Sequence, residues 1–137
     1  MTNIVAEHIE LRTQDDAKVM IMSQVEKFPD GSGYRCELRV ISDGFSCKRP
    51  FFFEGSFLSD AVTMLRKMND GTPGEATIKG MWEEDQVKFT LDKLGHIVVS
   101  GQVFERSEYP QEIRFAFPTD QTVLSPLVND LTRLLEA

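Results

Sequence analysis

The chain is poor in the residues that most site chemistry needs. Its 137 residues include two cysteines, two histidines and one tryptophan. His8 and His96 stand far apart, and no G-x-S-x-G, H-E-x-x-H or P-loop surrounds either. Two cysteines and two scattered histidines do not compose a zinc site. No catalytic residue, metal ligand or cofactor is therefore assigned, and an enzyme is not expected. No apolar run approaches the roughly 20 residues of a membrane span. Met1-Thr2-Asn3-Ile4 lacks the basic and apolar regions of a signal peptide, so a cytoplasmic protein is expected. Positive charge is also short: 15 Lys and Arg face 22 Asp and Glu, for a net charge of −7. That balance argues against nucleic-acid or anionic-membrane partners, which need basic surface. It permits a basic protein partner through steering and complementarity. Repeats, linkers and low-complexity tracts are missing too, and the length is that of a single domain.

What is present is a core and a rhythm. Hydrophobic residues make up 41% of the chain, which argues against wholesale disorder. Residues 75–117 read as four consecutive antiparallel strands. Ala76, Ile78, Gly80 and Trp82 share one face, so Trp82 is expected in the core. A two-residue Glu84-Asp85 loop would set Trp82 opposite Val87, Gly80 opposite Phe89 and Ile78 opposite Leu91. Phe89 would then lie over the bare backbone of Gly80. For the next turn, a three-residue Lys93-Leu94-Gly95 loop pairs Leu91, Phe89 and Val87 with Ile97, Val99 and Gly101. It also sets Gly95 at the left-handed position such loops need. A last strand, 111–117, carries Ile113, Phe115 and Phe117 on one face.

The first half repeats the theme. Ile4–Arg12 is a weakly alternating strand, followed by a polar turn at 13–16. In the strand 17–28, Val19, Ile21 and Val25 are read on one face and Met20, Met22 and Gln24 on the other. Apolar residues on both sides between 19 and 22 make it central or covered. Tyr34, Cys36, Leu38 and Val40 alternate with charged residues, and Asp43-Gly44 turns the chain back into Phe45–Glu54. That hairpin sets Cys36 opposite Phe51 and Cys47 opposite Val40. The two thiols are then four residues apart along the ladder, roughly 13 Å at ~3.3 Å per residue. A disulfide needs Cα atoms within about 7 Å, so two reduced, buried cysteines are expected. Pro50 favours an edge or a bulge. Phe51-Phe52-Phe53 is apolar on both faces, so Phe52 is either covered by a helix or part of an exposed patch.

Two helices close the two halves. Ser56 is read as the cap of the first, with Asp60 in its first turn. Phe57, Leu58, Ala61, Met64, Leu65 and Met68 form its apolar stripe. Ser125 and Pro126 are read as the start of the second, after a turn at 120–124 anchored by Leu124. The order is four strands, a helix, four strands, a helix. The expected class is α+β: a mostly antiparallel twisted sheet of about eight strands with two helices packed on it.

Two surface stretches carry the candidate site. Glu83-Glu84-Asp85 is the densest acidic run, at a hairpin tip beside Trp82. It reads as a docking point for cations or, more plainly, as a solvated turn, since its spacing makes no calcium loop. Residues 105–110 form the longest loop in the meander, and Arg106 and Tyr109 are types enriched at interfaces. The partner-binding set is therefore Glu83, Glu84, Asp85, Glu105, Arg106, Glu108 and Tyr109. His96, alone after a glycine turn, is a weak catalytic candidate.

The second half resembles a known family. Phe57-Leu58 opens the helix, Trp82 precedes the acidic turn, and Leu91 leads to Gly95-His96-Ile97-Val98-Val99. Phe115 then runs through Asp120-Gln121 into a Leu-rich closing helix. Over residues 51–137 this pattern is similar to the WapI family of small bacterial immunity proteins. The resemblance implies a cytoplasmic, non-enzymatic antidote that binds and masks a cognate toxin domain, and it brings no fixed catalytic residues with it. Two other readings stay open. One is a small-molecule-binding or weak hydrolase domain with a pocket near His96. The other is a self-associating structural subunit.

Overall fold

The computed structural model of the chain describes residues 4–12, 18–82 and 85–137. The polar turn expected at 13–16, and Glu83 and Glu84, lie outside the described residues. The first four strands are β1 (Ile4–Arg12), β2 (Lys18–Lys27), β3 (Gly33–Ser42) and β4 (Phe45–Glu54), followed by α1 (Gly55–Asn69). The second four are β5 (Gly74–Lys79), β6 (Gln86–Leu91), β7 (Ile97–Glu105) and β8 (Gln111–Thr119), followed by α2 (Leu124–Glu136). The α+β class and the element order are as expected. The eight strands are divided between two antiparallel sheets of four, each a meander in chain order.

The first sheet follows its turns. Asp43 (φ 50°) and Gly44 (φ 86°) both take positive φ, the requirement of a two-residue hairpin whose twist matches its strands. Cys36 faces Phe51 and Val40 faces Cys47, the expected register. Both cysteines are free, Cys36 buried and Cys47 half-buried. β4 is an edge strand, where Pro50 leaves no ladder donor wanting. β2 is central, one of the two placements its apolar faces allowed, but Val25 is not on the face of Val19 and Ile21. The register shifts by one residue between Ser23 and Glu26, where Gln24 has φ 51°. A bulge of one residue reverses the phase of everything beyond it. Val25 therefore joins Met20 and Met22 in the core.

The second sheet keeps one expected register and loses another. Leu91, Phe89 and Val87 pair with Ile97, Val99 and Gly101 as expected, and Gly95 has φ 85°. On the other side of β6, Ala76 faces Phe89 and Ile78 faces Val87, four residues away from expectation. The cause is Gly80. It leaves β5's ladder and bridges to Phe53 of the first sheet, while Met81 donates its N–H to Phe52 O at 2.8 Å. A Cβ on Gly80 would lie 2.8 Å from the Asp85 Cβ and 3.2 Å from the Phe51 ring. Phe89 therefore does not cover Gly80. The aromatic over bare backbone occurs instead in β7 and β8, where the Phe115 ring comes within 2.6 Å of a Cβ built on Gly101. Trp82 falls past the end of β5 and is 55% exposed, so it is not a core residue.

One apolar cluster joins both sheets and both helices. Phe51, Phe53, Phe89 and Phe117 are fully buried in it, each worth about 2–3 kcal/mol of transfer free energy. Leu58, Ala61, Val62, Leu65 and Met68 face it from α1, with Phe57 and Met64 half-buried at the edge. α1 begins directly after Glu54, so Ser56 lies inside it and makes no cap bond, and no acid stands in its first turn. α2 likewise starts at Leu124, running straight out of a 3₁₀ turn at Gln121–Val123 capped by Asp120, so Ser125 is not its cap. Leu124 is fully buried, the anchor expected there. α2 packs on α1 and β1. It is tied to the first sheet by the Tyr34 hydroxyl, which donates to Leu134 O at 3.0 Å. Lys27 Nζ reaches Ala137 O at 2.7 Å.

Candidate functional site

The hairpins β5–β6 and β7–β8 end side by side, because β6 pairs with β7 as far as Gln86 opposite Gln102. Asp85 stands just before β6. Its N–H donates to Trp82 O at 3.0 Å and its own carbonyl accepts from Gly80 N at 2.7 Å, closing the turn. Its carboxylate points across to the neighbouring hairpin. Oδ1 accepts from Phe104 N at 3.1 Å and from Arg106 Nη2 at 3.1 Å, and Oδ2 accepts from Arg106 Nη1 at 3.3 Å. This is a two-pronged pairing of a planar guanidinium with a carboxylate. The Asp85 side chain is 4% exposed and that of Arg106 41%. Arg106 also lies over the Phe104 ring, 5.4 Å from its centroid.

Three of the candidate residues, Asp85, Arg106 and Glu105, are thus internal braces. Asp85 is buried and committed to Arg106, so it offers no free charge at the surface. Glu105 accepts from Ser107 N at 2.7 Å and Ser107 Oγ at 2.8 Å, shaping its own loop. Ser107 Oγ in turn reaches Tyr109 O at 3.4 Å. Tyr109 is 78% exposed and Glu108 is exposed beside it. The brace brings residues 105–109 next to Trp82 and Asp85, two stretches that are twenty residues apart in the chain.

Trp82 extends this surface onto the outer face of the first sheet. Its ring meets Phe52 edge-on at 6.5 Å, and Phe52 meets Phe28 at 6.5 Å. Arg35, the cross-strand partner of Phe52, lies 5.8 Å from that ring's centroid. Phe52 is thus half-buried by side chains and not by a helix. The outward phase of Phe52 marked one half of this aromatic patch in the sequence. The Trp82 half was hidden by its apparent place in the strand alternation.

His96 belongs elsewhere. Asp92 accepts from Leu94 N and His96 N, both at 2.9 Å, and lies 3.2 Å from His96 Nδ1. The backbone N–H of His96 is the main cause of a lowered Asp92 pKa; desolvation, next in size, opposes it, and Leu94 N–H and the His96 ring assist. The imidazole is 71% exposed. It closes a turn and lines no part of the cleft described below. Among the described residues no group of three or more His, Cys, Asp or Glu could hold a metal ion.

The model of the family described as "Immunity protein WapI-like family" matches residues 7–137. The chain belongs to the WapI-like immunity protein family. The match takes in the first sheet as well as the second half, where the resemblance was legible. No curated protein matches the chain. Among the described residues of this WapI-like protein, no helix is long and apolar enough to cross a membrane.

Proposed function

We propose that this WapI-like protein is a non-enzymatic antidote that binds a basic toxin domain through the braced hairpin ends. Family membership supports the class of function. The observation that supports the location is the Asp85–Arg106 pair, which fuses two loops into one surface with an exposed Tyr109 and Trp82. Aromatic anchors inside a charged rim are the usual source of binding energy at interfaces. Exposed Glu108 supplies rim charge, Glu83 and Glu84 are the acids next to Trp82 and Asp85 in the sequence, and the net charge of −7 steers a basic partner. Asp85, Arg106 and Glu105 hold the frame. On this reading the chain acts in the cytoplasm as one domain.

The test is melting temperature and elution volume with and without the protein encoded immediately upstream. A raised melting temperature and a co-eluting complex are expected. Lysine at 83, 84 and 108 together should slow association and flatten its salt dependence. Tyr109→Ala should cost about 1–2 kcal/mol of affinity, mainly through faster dissociation. Unchanged binding and unchanged salt dependence in both variants rule out this surface. Self-association is the competing use of the same aromatic patch, and the elution volume of the chain alone decides it.

A further inference from the structure

A cleft of about 860 Å³ opens between the inner faces of the two sheets, on the side of the β3–β4 turn. Phe45, Cys47 and Arg49 of β4 form one wall, with Val103, Ile113 and Phe115 of β7 and β8 opposite. Side chains two apart on a strand share a face. Along β4 the sequence from mouth to core therefore runs Phe45, Cys47, Arg49, Phe51. Phe45 is 72% exposed and Phe51 is fully buried. Exposed Phe45 and half-buried Arg49 are four residues apart, about 13 Å at ~3.3 Å per residue. The volume is that of a small-molecule site; Val40, Phe45, Cys47, Val103, Ile113 and Phe115 supply apolar surface, and Lys48, Arg49 and Arg114 supply positive charge.

Charge decides what it takes. Each carboxylate in the lining is already engaged: Glu112 with Arg114 at 3.4 Å, Glu105 with Ser107, and Asp43 also with a partner. Arg49 is different. Its Nε is buried and, among the described residues, has no hydrogen-bond partner. A buried donor on a charged group is costly to leave unmade, and a native one calls for a missing acceptor. The field of this guanidinium reaches into the cleft: burial raises the Cys47 thiol pKa, and Arg49 pulls against that rise. A planar donor fork with an unmet N–H, beside the apolar side chains of Cys47, Ile113 and Phe115, matches a carboxylate on an apolar body.

We infer that the cleft binds an apolar monocarboxylate, its head on Arg49 and its body along Cys47, Ile113 and Phe115. Glu105 borders both this cleft and the partner surface above, but the ligand-contacting residues proposed here are others and the measurement is another.

Dodecanoate is the probe, titrated calorimetrically below its micelle concentration, with dodecanol and dodecylamine as controls. One dodecanoate per chain is expected, with the alcohol and amine weaker by roughly ten-fold or more. Arg49→Met, which keeps the apolar stem, should abolish the preference for the acid while the melting temperature without ligand stays close to that of the parent. Should that variant fail to fold, the parent chain still decides. Dodecanoate should slow alkylation of half-buried Cys47, dodecylamine should not, and fully buried Cys36 serves as the internal control. No dodecanoate binding at millimolar concentration overturns the proposal. So does equal binding of acid and alcohol, or equal protection of Cys47 by acid and amine.

Discussion

The β5–β6 and β6–β7 hairpins share a strand, yet they are closed by different means. The β6–β7 turn is closed chiefly by its own groups. Asp92 takes two N–H donors from its own loop and Gly95 supplies the left-handed residue, while from outside the Gln121 amide adds a longer bond to Gly95 O at 3.3 Å. The β5–β6 turn is held from outside. Gly80 is bridged to Phe53, Met81 donates to Phe52, and Asp85 is claimed by Arg106 and Phe104. A turn that satisfies its own polar groups can be moved to another protein. A turn satisfied by its neighbours stores part of the tertiary fold, and breaking it should be felt at a distance.

Four substitutions separate the two turns, in descending order of effect. Arg106→Ala leaves the buried Asp85 carboxylate with one N–H donor, and we expect a loss of about 3 kcal/mol in denaturant unfolding. A double-mutant cycle with Asp85→Ala should return a coupling above roughly 1 kcal/mol, and additivity there would erase the contrast between the turns. Gly80→Ala puts a methyl group 2.9 Å from Asp85 O and 3.2 Å from the Phe51 ring, at a cost of about 2 kcal/mol. Hydrogen exchange should report that loss in the first sheet as well as the second. Gly95→Ala forces alanine to φ 85° but meets only the tip of the flexible Gln121, so about 1 kcal/mol is expected, confined to its own hairpin.

Asp92→Asn is the smallest. Its folded pKa lies below the ordinary 3.8, so the contribution is present above that value and fades as pH falls through the folded one. The parent and variant melting temperatures should therefore differ slightly near neutrality and converge in strong acid. A difference that persists unchanged through that window would mean the turn is not held by the carboxylate's charge.

The same contrast explains what could be read from the residues. Where local chemistry decides, as at Asp43-Gly44 and Lys93-Leu94-Gly95, the cross-strand partners came out to the residue. Gly80 and Trp82 looked like the continuation of a strand because alternation carries no record of a neighbouring edge. Val25 was set on the wrong face because a bulge at Gln24 leaves no mark in composition. In the candidate site, Tyr109 and Glu108 were legible as exposed loop residues. That Asp85 is a brace depended on Arg106 arriving from twenty residues away. The unpaired Arg49 was out of reach for the same reason, since its isolation depends on which carboxylates the opposite sheet has already taken.

The bonds from Tyr34 to Leu134 and from Lys27 to Ala137 close loops of 100 and 110 residues. Their kinetic meaning follows from chain order. The first sheet can be complete on the ribosome while the helix that seals it is still unmade. In that interval Ile9 and Leu11, both 2% exposed in the finished fold, present bare apolar surface. Closure over such separations is slow, and intermediates with uncovered sheets are the ones that aggregate or recruit chaperones. The last turn of α2 is thus a late seal: until it docks, that apolar surface stays open, and shortening it would prolong the exposure as well as remove the two bonds.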